Sequence, residues 1–351
     1  MARVIISKTT HKGITEQFKS VMNWKITVSD GIALLLIIFL LLTLFPRRLW
    51  FVETLSNLLS WILLPSLPLV IFYMVKRRWV SSALWGVSAL TFVFLFGGLF
   101  LPKIGPSHVC DPDGPNACRH LKVMSFNLLA ERNGDYRPQL EMMQNSGADI
   151  IALQEVGRSN VEAIDQGMAE LYPYRYLFPM SVAGTGILSK YPMESQEAFQ
   201  ITPGALYHTK AVIDVEGESI TVFSVHPPPP VTYKYKNTRR TEIIKLAEMA
   251  SGDGPVIMMG DFNATDQSSD YKVMTRSGLH DAFREAGWGF GPTWPVKLPS
   301  VGQFLPLVRI DYVWVTDDFE VLSARTGPRT NSDHLPVMVD LAYISVAATL
   351  R

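Results

Sequence analysis

Val256-Ile257-Met258-Met259-Gly260-Asp261-Phe262-Asn263 places a short apolar run directly before a carboxylate and an amide. A fully apolar run of this length is typical of a strand that is buried on both faces. Asp261 stands where the apolar run ends, and Asn263 follows two residues later. In layered α/β proteins the ends of such strands share one rim, where ligands bind. The stretch therefore predicts a buried strand that carries Asp261 and Asn263 to a site.

Four further apolar runs in the second half of the chain border the same kinds of side chain. Three runs end at a polar residue of this kind, namely Asn127, Glu155 and His226. The fourth run begins directly after two such residues, Asp333 and His334. Each pattern alone is also found in ordinary turns and helix caps. Five such strand ends, all acidic, amide or imidazole, are hard to explain as turns. Together they predict one catalytic rim.

These residue types suit metal-assisted hydrolysis of a phosphoester. Carboxylate and amide oxygens are the ligands that Mg²⁺, Mn²⁺ and Ca²⁺ prefer. Mg²⁺ keeps most of its waters, so one or two carboxylates suffice, and Glu155 is the leading candidate. A cation on a phosphoryl oxygen offsets the charge that develops during in-line attack. A histidine can activate the attacking water, and an aspartate on its second ring nitrogen would fix its tautomer.

The order of strands and helices in this half of the chain indicates a mixed sheet. Apolar strands alternate with helical segments, and a Glu216-Gly217 turn joins two strands as a hairpin. Hairpins mixed with helices favour a mixed sheet over a purely parallel one.

The second half of the chain also resembles a known family, the endonuclease/exonuclease/phosphatase superfamily with the deoxyribonuclease-I-like fold. Five strings carry the resemblance, in the family order, over about residues 119–345: Met124-Ser125-Phe126-Asn127-Leu128, Ala152-Leu153-Gln154-Glu155-Val156, Gly260-Asp261-Phe262-Asn263-Ala264, Arg309-Ile310-Asp311-Tyr312-Val313 and Ser332-Asp333-His334-Leu335-Pro336-Val337. Two more are similar to the bacterial membrane-anchored branch: Val225-His226-Pro227-Pro228-Pro229-Pro230 and Phe290-Gly291-Pro292-Thr293-Trp294-Pro295. The resemblance implies a four-layer α-β-β-α sandwich, in which helices flank two mixed sheets.

The resemblance implies a metal set. It places a divalent cation, Mg²⁺ or else Mn²⁺ or Ca²⁺, on Glu155 with Asn127 beside it. Asp333 would serve the same metal or a second one.

The resemblance implies a separate catalytic set. His226 would hydrogen-bond the scissile phosphate and Asn263 would contact it. Asp261 would orient or activate the attacking water. His334, paired with Asp311, would be the base or would stabilise the transition state.

The first 102 residues have a different character. The 351-residue chain is 48% apolar and only 18% charged, with a net charge of zero. Residues 1–102 hold ten Lys/Arg against three Asp/Glu, and the remainder holds 22 against 29. Three apolar runs separated by basic breaks predict transmembrane helices at about 28–45, 50–75 and 79–101. We therefore expect a membrane anchor over 1–102 and a catalytic domain over 119–345.

The distribution of Lys and Arg predicts the orientation of this anchor. A cytoplasmic N-terminus puts most basic residues inside, and three crossings then place the catalytic domain outside a bacterial inner or plasma membrane. If the second run does not cross, the orientation reverses. The linker, 103–118, contains Cys110 and Cys118, which can form a disulfide in an oxidising compartment or remain two thiols.

The substrate stays open at the level of sequence. A lipid headgroup and a nucleic acid both fit the catalytic set, and the lipid bilayer is the second expected partner; no protein partner is inferred. The acidic net charge of the domain disfavours a strong nucleic-acid binder, although Lys234, Lys236, Arg239 and Arg240 form a basic cluster. A nuclease and a pseudoenzyme that only binds a ligand are the alternatives. We interpret the prolines after His226 as a stiff loop.

Overall fold

The computed structural model describes residues 27–44, 50–101, 103, 118–130, 134–252, 254–298 and 301–344. These residues fall into two compact units, one within residues 1–53 and 60–95 and the other within residues 54–59 and 96–351. The predicted Cys110–Cys118 disulfide lies outside the described residues.

The first unit is built from apolar helices. The helices of this part of the chain are α1 (Val28–Thr43), α2 (Trp50–Ser56), α3 (Leu59–Leu63), α4 (Ser66–Val75) and α5 (Trp79–Phe96), the last extended by a 3₁₀ turn. Helix α1 begins with a capping box between Thr27 and Asp30. Ala33 packs with Tyr73 and Trp85, and the Trp85 indole donates to Ser29 Oγ at 3.0 Å.

The prediction of three membrane-spanning helices is not supported, and one candidate remains. Helix α1 has 16 residues, fewer than the roughly 20 that cross the hydrocarbon core. The second apolar run is divided among α2, α3 and α4 by turns at residues 57–58 and 64–65. Pro65 has no N–H to continue a helical ladder. Among the described helices, Trp79–Phe100 alone is long and apolar enough to cross a membrane.

The second unit contains two six-stranded sheets. The strands of the first sheet lie in the order β13-β14-β1-β2-β4-β3 and those of the second in the order β5-β6-β7-β8-β12-β9. Their bounds are β1 Cys118–Asn127, β2 Ile150–Gln154, β3 Tyr174–Phe178, β4 Thr185–Ser189, β5 Met193–Phe199, β6 His208–Val215, β7 Glu218–Val225, β8 Val256–Asp261, β9 His280–Asp281, β10 Lys297–Leu298, β11 Gly302–Gln303, β12 Asp311–Val315, β13 Phe319–Thr326 and β14 Val337–Ile344. Strands β10 and β11 form a separate hairpin.

Both sheets are mixed, and each has one parallel pair with a helical crossover. Strands β1 and β2 are parallel, as are β7 and β8. The helices of this unit are α6 (Arg137–Asn145), α7 (Arg158–Gly167), α8 (Tyr233–Ala250), α9 (Tyr271–Arg276) and α10 (Ala282–Ala286). Helix α6 connects the first parallel pair and α8 connects the second, because parallel strands need a long crossover.

The two sheets pack face to face, and helices cover their outer faces. The inner core includes Val123 and Ile150 from the first sheet and Ile257 and Val313 from the second. One outer core holds residues of α6 and α7, and the other holds residues of α8, such as Leu246. The predicted architecture of two mixed sheets flanked by helices is therefore confirmed.

Strand alternation decides where the polar strand ends point. In β8, Ile257 and Met259 belong to the inner core, whereas Met258 belongs to the outer one. Because successive side chains alternate between faces, Asp261 continues the inner row. The same period carries Asn127 in β1 and Asp311 in β12 into the space between the sheets.

Candidate active site

Asp261 and Asp311 lie opposite one another at one end of the second sheet. The antiparallel register of β8 and β12 pairs Asp311 with Asp261 directly. Both side chains are buried. Asn127 reaches them from the first sheet and donates from Nδ2 to Asp261 Oδ2 at 3.1 Å. The site is thus built where the ends of both sheets meet.

His334 is held between these two carboxylates. Its Nδ1 lies 2.9 Å from Asp311 Oδ2, and its Nε2 lies 3.7 Å from Asp261 Oδ2. The loop that carries it is fixed by Ser332, whose Oγ accepts from the His334 amide at 3.1 Å and donates to Asn127 O at 2.6 Å. An aspartate on one ring nitrogen orients an imidazole and stabilises its charged form.

His226 approaches Asp261 from the end of β7. Its Nε2 lies 3.5 Å from Asp261 Oδ2, and the side chain is buried. Asp261 Oδ1 accepts from the backbone amide of Asn263 at 2.9 Å. Asp261 is therefore surrounded by Asn127, Asn263 and both histidines.

The two histidines differ in charge. Burial by itself would lower the pKa of His334, but Asp311 and Asp261 outweigh it and raise that pKa to about 10. Burial lowers the pKa of His226 to about 3, and His334 and His208 add to this shift. At neutral pH the site thus holds one imidazolium and one neutral imidazole.

The Asp261 carboxyl has a raised pKa. Burial is the main cause, and the negative charges of Asp311 and Glu155 act in the same direction. The positive charge of His334 and the amide of Asn263 oppose the shift. Because this pKa is raised to about 8, the carboxyl is largely protonated at neutral pH. In its ionised form it is a stronger proton acceptor than an ordinary carboxylate.

Asn263 and Asp333 stand beside this core. Asn263 has a positive φ of 50°, and its Nδ2 donates to Pro227 O at 3.0 Å. Asp333 accepts from the Trp294 indole at 3.2 Å, and its Oδ1 lies 4.0 Å from His334 Nε2. Both residues are thus fixed by contacts of their own.

Glu155 belongs to the same cavity but lies beyond the central contacts. It follows β2 with a positive φ of 52°. The cavity has a volume of about 740 Å³, and Glu155 lines it together with His226, Asp261, Asn263, Asp333 and His334. Ligand sites are commonly 300–1,000 Å³, roughly this size. The structure thus brings all eight predicted residues to one region, and Glu155 influences Asp261 through charge.

The residues fit a divalent cation. Asp261, Asp311 and His334 each offer a ligand atom within 4.8 Å of the others. Asp311 Oδ1 is buried and accepts no hydrogen bond from the described residues, as expected where a positive group is to be accommodated. With the carboxylates of Glu155 and Asp333 on the same cavity, the donors are those of a hard cation.

A sequence comparison decides the family. The profile described as "Endonuclease/Exonuclease/phosphatase family" matches residues 124–334. This chain belongs to that family. The matched segment runs from β1 to His334 and so includes every residue of the site.

Individual proteins resemble this chain in sequence or in fold. The uncharacterized protein YbhP of Escherichia coli K12 is 27% identical over 63% of this chain and 96% of its own length. An endonuclease/exonuclease/phosphatase from Beutenbergia cavernae has a TM-score of 0.56 at 19% identity, over 65% of this chain and 72% of its own. A family protein from Bacteroides thetaiotaomicron has a TM-score of 0.53 at 20% identity, over 65% and 99%. The structural likenesses show the shared fold.

The sequence analysis missed several residues that support the site. Thr293 Oγ1 accepts from the amides of Ile310 at 3.2 Å and Asp311 at 3.4 Å. Gln154, whose Nε2 donates to Ser224 Oγ at 3.0 Å, joins the two sheets beneath the site. Gln154 ends a fully apolar run, which is the same pattern that marks the predicted site residues. Thr293 lies in the stretch 290–295 that resembles the membrane-anchored branch, but nothing there marks it as a partner of Asp311.

Proposed function

We propose that this protein is a divalent-metal-dependent phosphoester hydrolase that acts on phosphodiesters. The observation that carries the proposal is the buried chain Asp311–His334–Asp261, with separations of 2.9 and 3.7 Å. It offers an oriented imidazolium beside a carboxylate of raised pKa. Water attack on phosphorus needs both a proton acceptor and a group that stabilises negative charge.

The charges of the site residues suggest which residue performs each step of hydrolysis. His334 is charged at neutral pH, so we assign it to the phosphoryl oxygens or the leaving group rather than to the first proton abstraction. Asp261 is the carboxylate placed to take a proton from the attacking water. Asp311 holds the His334 ring, and neutral His226 donates to the phosphate. A base role for His334, as the sequence suggested, is the competing assignment.

The metal completes this set. Glu155 and Asp333 line the cavity, and we assign the cation to these two carboxylates together with Asn127. A bound Mg²⁺ or Mn²⁺ would neutralise charge on the phosphoryl oxygens. The strand ends hold the catalytic side chains in position, and each side chain is fixed by a hydrogen bond or by burial.

The cavity walls favour a lipid headgroup over a nucleic acid. The polar floor is bordered by apolar side chains: Leu58, Leu129, Leu206, Trp294, Val308 and Ile310. No Lys or Arg is among the described residues that line the cavity. Arg239 and Arg240, half of the predicted basic cluster, are both paired with Asp270 at 2.9 Å. Nucleic-acid binding depends mainly on Lys and Arg contacts with phosphates.

The segment at the cavity rim supports a bilayer as partner. Pro228, Pro229, Pro230, Val231 and Tyr235 line the cavity. Val231 and Tyr233 are 72% and 71% exposed, and Lys234 lies between the two tyrosines. Exposed tyrosine beside lysine suits a membrane interface. We propose that this rim contacts the lipid surface that supplies the substrate.

The anchor is part of the same proposal. The Trp79–Phe100 helix would cross the membrane once, and one crossing, like three, puts the catalytic unit on the side opposite the N-terminus. The ten Lys/Arg that precede this helix favour a cytoplasmic N-terminus. A reporter fused after residue 351 tests this, since activity of a cytoplasm-only reporter would reverse the assignment.

The substrate is tested on the full chain in detergent, with and without Mg²⁺ or Mn²⁺. Phospholipid vesicles, plasmid DNA and RNA are incubated in parallel, with His334→Ala as the control. We expect metal-dependent release of headgroups that the variant loses. Cutting of nucleic acid alone would replace the lipid proposal with a nuclease, and silence on all three substrates would favour the pseudoenzyme.

The rim is tested by the substitution Tyr233→Ser, with Tyr174→Ser as the matched exposed tyrosine on β3. We expect Tyr233→Ser to raise KM for vesicles but not for a soluble phosphodiester, and Tyr174→Ser to change neither. Equal KM values for all three proteins on vesicles would contradict the contact with lipid.

A further inference from the structure

His208 and Glu242 form a buried pair behind the site, on the outer face of the second sheet. His208 begins β6 and Glu242 lies on α8; both are fully buried. His208 Nδ1 accepts a hydrogen bond from the backbone amide of His226 at 3.1 Å. Its other ring nitrogen, Nε2, lies 3.5 Å from Glu242 Oε2.

The contact with His226 fixes the tautomer of His208. A neutral imidazole has one donor nitrogen and one acceptor nitrogen. Because Nδ1 accepts from His226, the proton of His208 must be on Nε2, which faces Glu242. Glu242 has neither carboxylate oxygen hydrogen-bonded within the described residues. His208 Nε2 likewise has no hydrogen-bond partner among the described residues, so its 3.5 Å approach to Glu242 Oε2 is an electrostatic contact rather than a hydrogen bond.

Helix α8 supports the neighbouring loop through a second residue. Arg239, one turn before Glu242, donates from Nη1 to the backbone oxygen of Asn263 and from Nε to Asp270 at 2.9 Å. Asn263 is in turn hydrogen-bonded to Pro227 O, directly after His226. Arg239 thus bonds the loop that carries Asn263 directly, whereas Glu242 lies beside His208, the residue that accepts from the His226 amide.

We infer that His208 and Glu242 are positioning residues for His226. They act on the amide of His226 and so hold the end of β7 in place. In this position His226 Nε2 lies 3.5 Å from Asp261 Oδ2. His208 is separated from the substrate cavity by His226 and therefore acts through it. This role rests on the proposed hydrolase function, because it is the placement of His226 against a phosphate that it serves.

Three substitutions test the pair. His208→Leu removes the acceptor for the His226 amide at similar volume. His208→Asn restores it, because an asparagine Oδ1 can replace Nδ1. Leu246→Ala, at a buried apolar residue of α8 that has no polar side-chain atoms, controls for simple loss of packing.

The first measurement is amide hydrogen exchange, which does not depend on activity. A peptide spanning residues 223–231 contains four prolines without amide hydrogens, so the amide of His226 makes up a large part of its signal. We expect His208→Leu to lose protection there, and His208→Asn and Leu246→Ala to keep it. Unchanged protection in His208→Leu would overturn the inference, even if the wild-type protein hydrolysed no substrate.

The second measurement is steady-state hydrolysis of a soluble phosphodiester. Misplacement of a catalytic group by about 1 Å can cost on the order of 100-fold in rate. We expect His208→Leu to lower kcat at least tenfold on this basis (about 1.4 kcal/mol) with little change in KM, and His208→Asn to recover most of it. Equal losses in His208→Leu and Leu246→Ala would reduce the pair to a packing role and overturn the assignment.

Glu242 is tested against His208 in a double-mutant cycle. Glu242→Gln keeps an oxygen that can accept from His208 Nε2, so we expect a small loss of kcat. Glu242→Leu should approach the loss of His208→Leu, and the double variant should lose no more than either alone. Additive losses would show that the two residues act independently, which contradicts a single relay to His226.

Discussion

At the scale of the residue, the site depends on which side of a strand each polar side chain occupies. Asp261 follows the inner-face residue Met259 at a spacing of two, and Asp311 precedes the inner-face residue Val313 at the same spacing, so both enter the gap between the sheets. His334 then lies within 4 Å of both. The central chemical unit is therefore one imidazole between two carboxylates, and its members should be coupled.

This coupling is our first prediction. Asp311→Asn and His334→Ala should each lower kcat by about 10²–10⁴-fold, the range of general acid–base contributions. The double variant should be hardly worse than either single one, because residues that act as a unit are not additive. His280→Ala is the matched control: that histidine contacts Glu285 and Asp317 away from the cavity. A multiplicative double-mutant loss would contradict the coupling.

A second prediction concerns a buried ion pair that supports the fold. Asp281 accepts from Arg309 at 2.7 and 2.6 Å, and both side chains are buried. Burial alone would raise the pKa of Asp281, but Arg309 outweighs it and lowers that pKa. A carboxylate with a depressed folded-state pKa stabilises the protein above its unfolded pKa of about 3.9. This contribution is lost as the pH falls through the folded-state value.

The measurement is Tm as a function of pH for wild type and Asp281→Asn. We expect wild-type Tm to fall below about pH 4 and the variant to show a weaker fall there. At neutral pH the variant should be destabilised by about 3–5 kcal/mol, because the buried Arg309 loses its nearest carboxylate and keeps only Asp266 at 3.7 Å. Asp165→Asn, at an exposed pair with Arg175, should have little effect. An unchanged Tm for Asp281→Asn at neutral pH would contradict this account.

At the scale of the element, β8 needs a glycine next to Asp261. A Cβ at Gly260 would lie 2.0 Å from the backbone oxygen of Val225 in the parallel neighbour β7. Strand β8 can therefore approach β7 this closely only if residue 260 has no side chain. This close approach brings Asp261 near His226. Gly252, after α8, has open space around its Cα.

Gly260→Ala is our third prediction. The added methyl group must push the two strands apart, at a cost of about 1–3 kcal/mol or more for overpacking. We expect lower Tm and lower kcat together, because Asp261 is the next residue. Gly252→Ala should change Tm little. Chemical denaturation measures the first effect, and a Gly260→Ala protein of normal stability and activity would contradict the close approach of the strands.

The sequence predicted some elements well and others poorly, for physical reasons. Buried strands such as β8 and β2 were predicted from fully apolar runs that end in polar residues. The edge strand β5 was not predicted, because its exposed residues show no apolar alternation. The run at 50–75 was predicted as one span, since hydropathy does not record the turns at 57–58 and 64–65. Of the eight site residues, seven were predicted because they border apolar strands, and Asp311 was added by the resemblance. Thr293, His208 and Glu242 were not predicted, because they act through contacts distant in sequence.

At the scale of the whole molecule, the two sheets form one site only when packed together. Asn127 comes from the first sheet, and Asp261 with Asp311 from the second, so each sheet alone presents only some of the donors. Gln154 and Ser224 join the sheets below these residues. Metal binding at this junction should therefore stabilise the assembled sandwich as a whole.

Metal stabilisation is our fourth prediction. A cation that binds the folded state should stabilise the protein by about 2.7 kcal/mol at 100 times its Kd. We expect Mg²⁺ or Mn²⁺ to raise Tm and a chelator to reverse the rise. Glu155→Gln should lose most of this shift, and Glu170→Gln, an exposed carboxylate on another surface, should keep it. Equal shifts in both variants would place the cation elsewhere.

The most direct test of the central claim is hydrolysis of bis(p-nitrophenyl) phosphate by the full chain in detergent. This soluble phosphodiester requires neither lipid nor nucleic-acid recognition, so it reports on the Asp311–His334–Asp261 unit alone. We predict turnover that needs Mg²⁺ or Mn²⁺ and that is lost in Asp261→Asn and His334→Ala but kept in His280→Ala. Turnover that survives in both site variants, or none by wild type with any divalent cation, would contradict the assignment of this site as a phosphodiesterase.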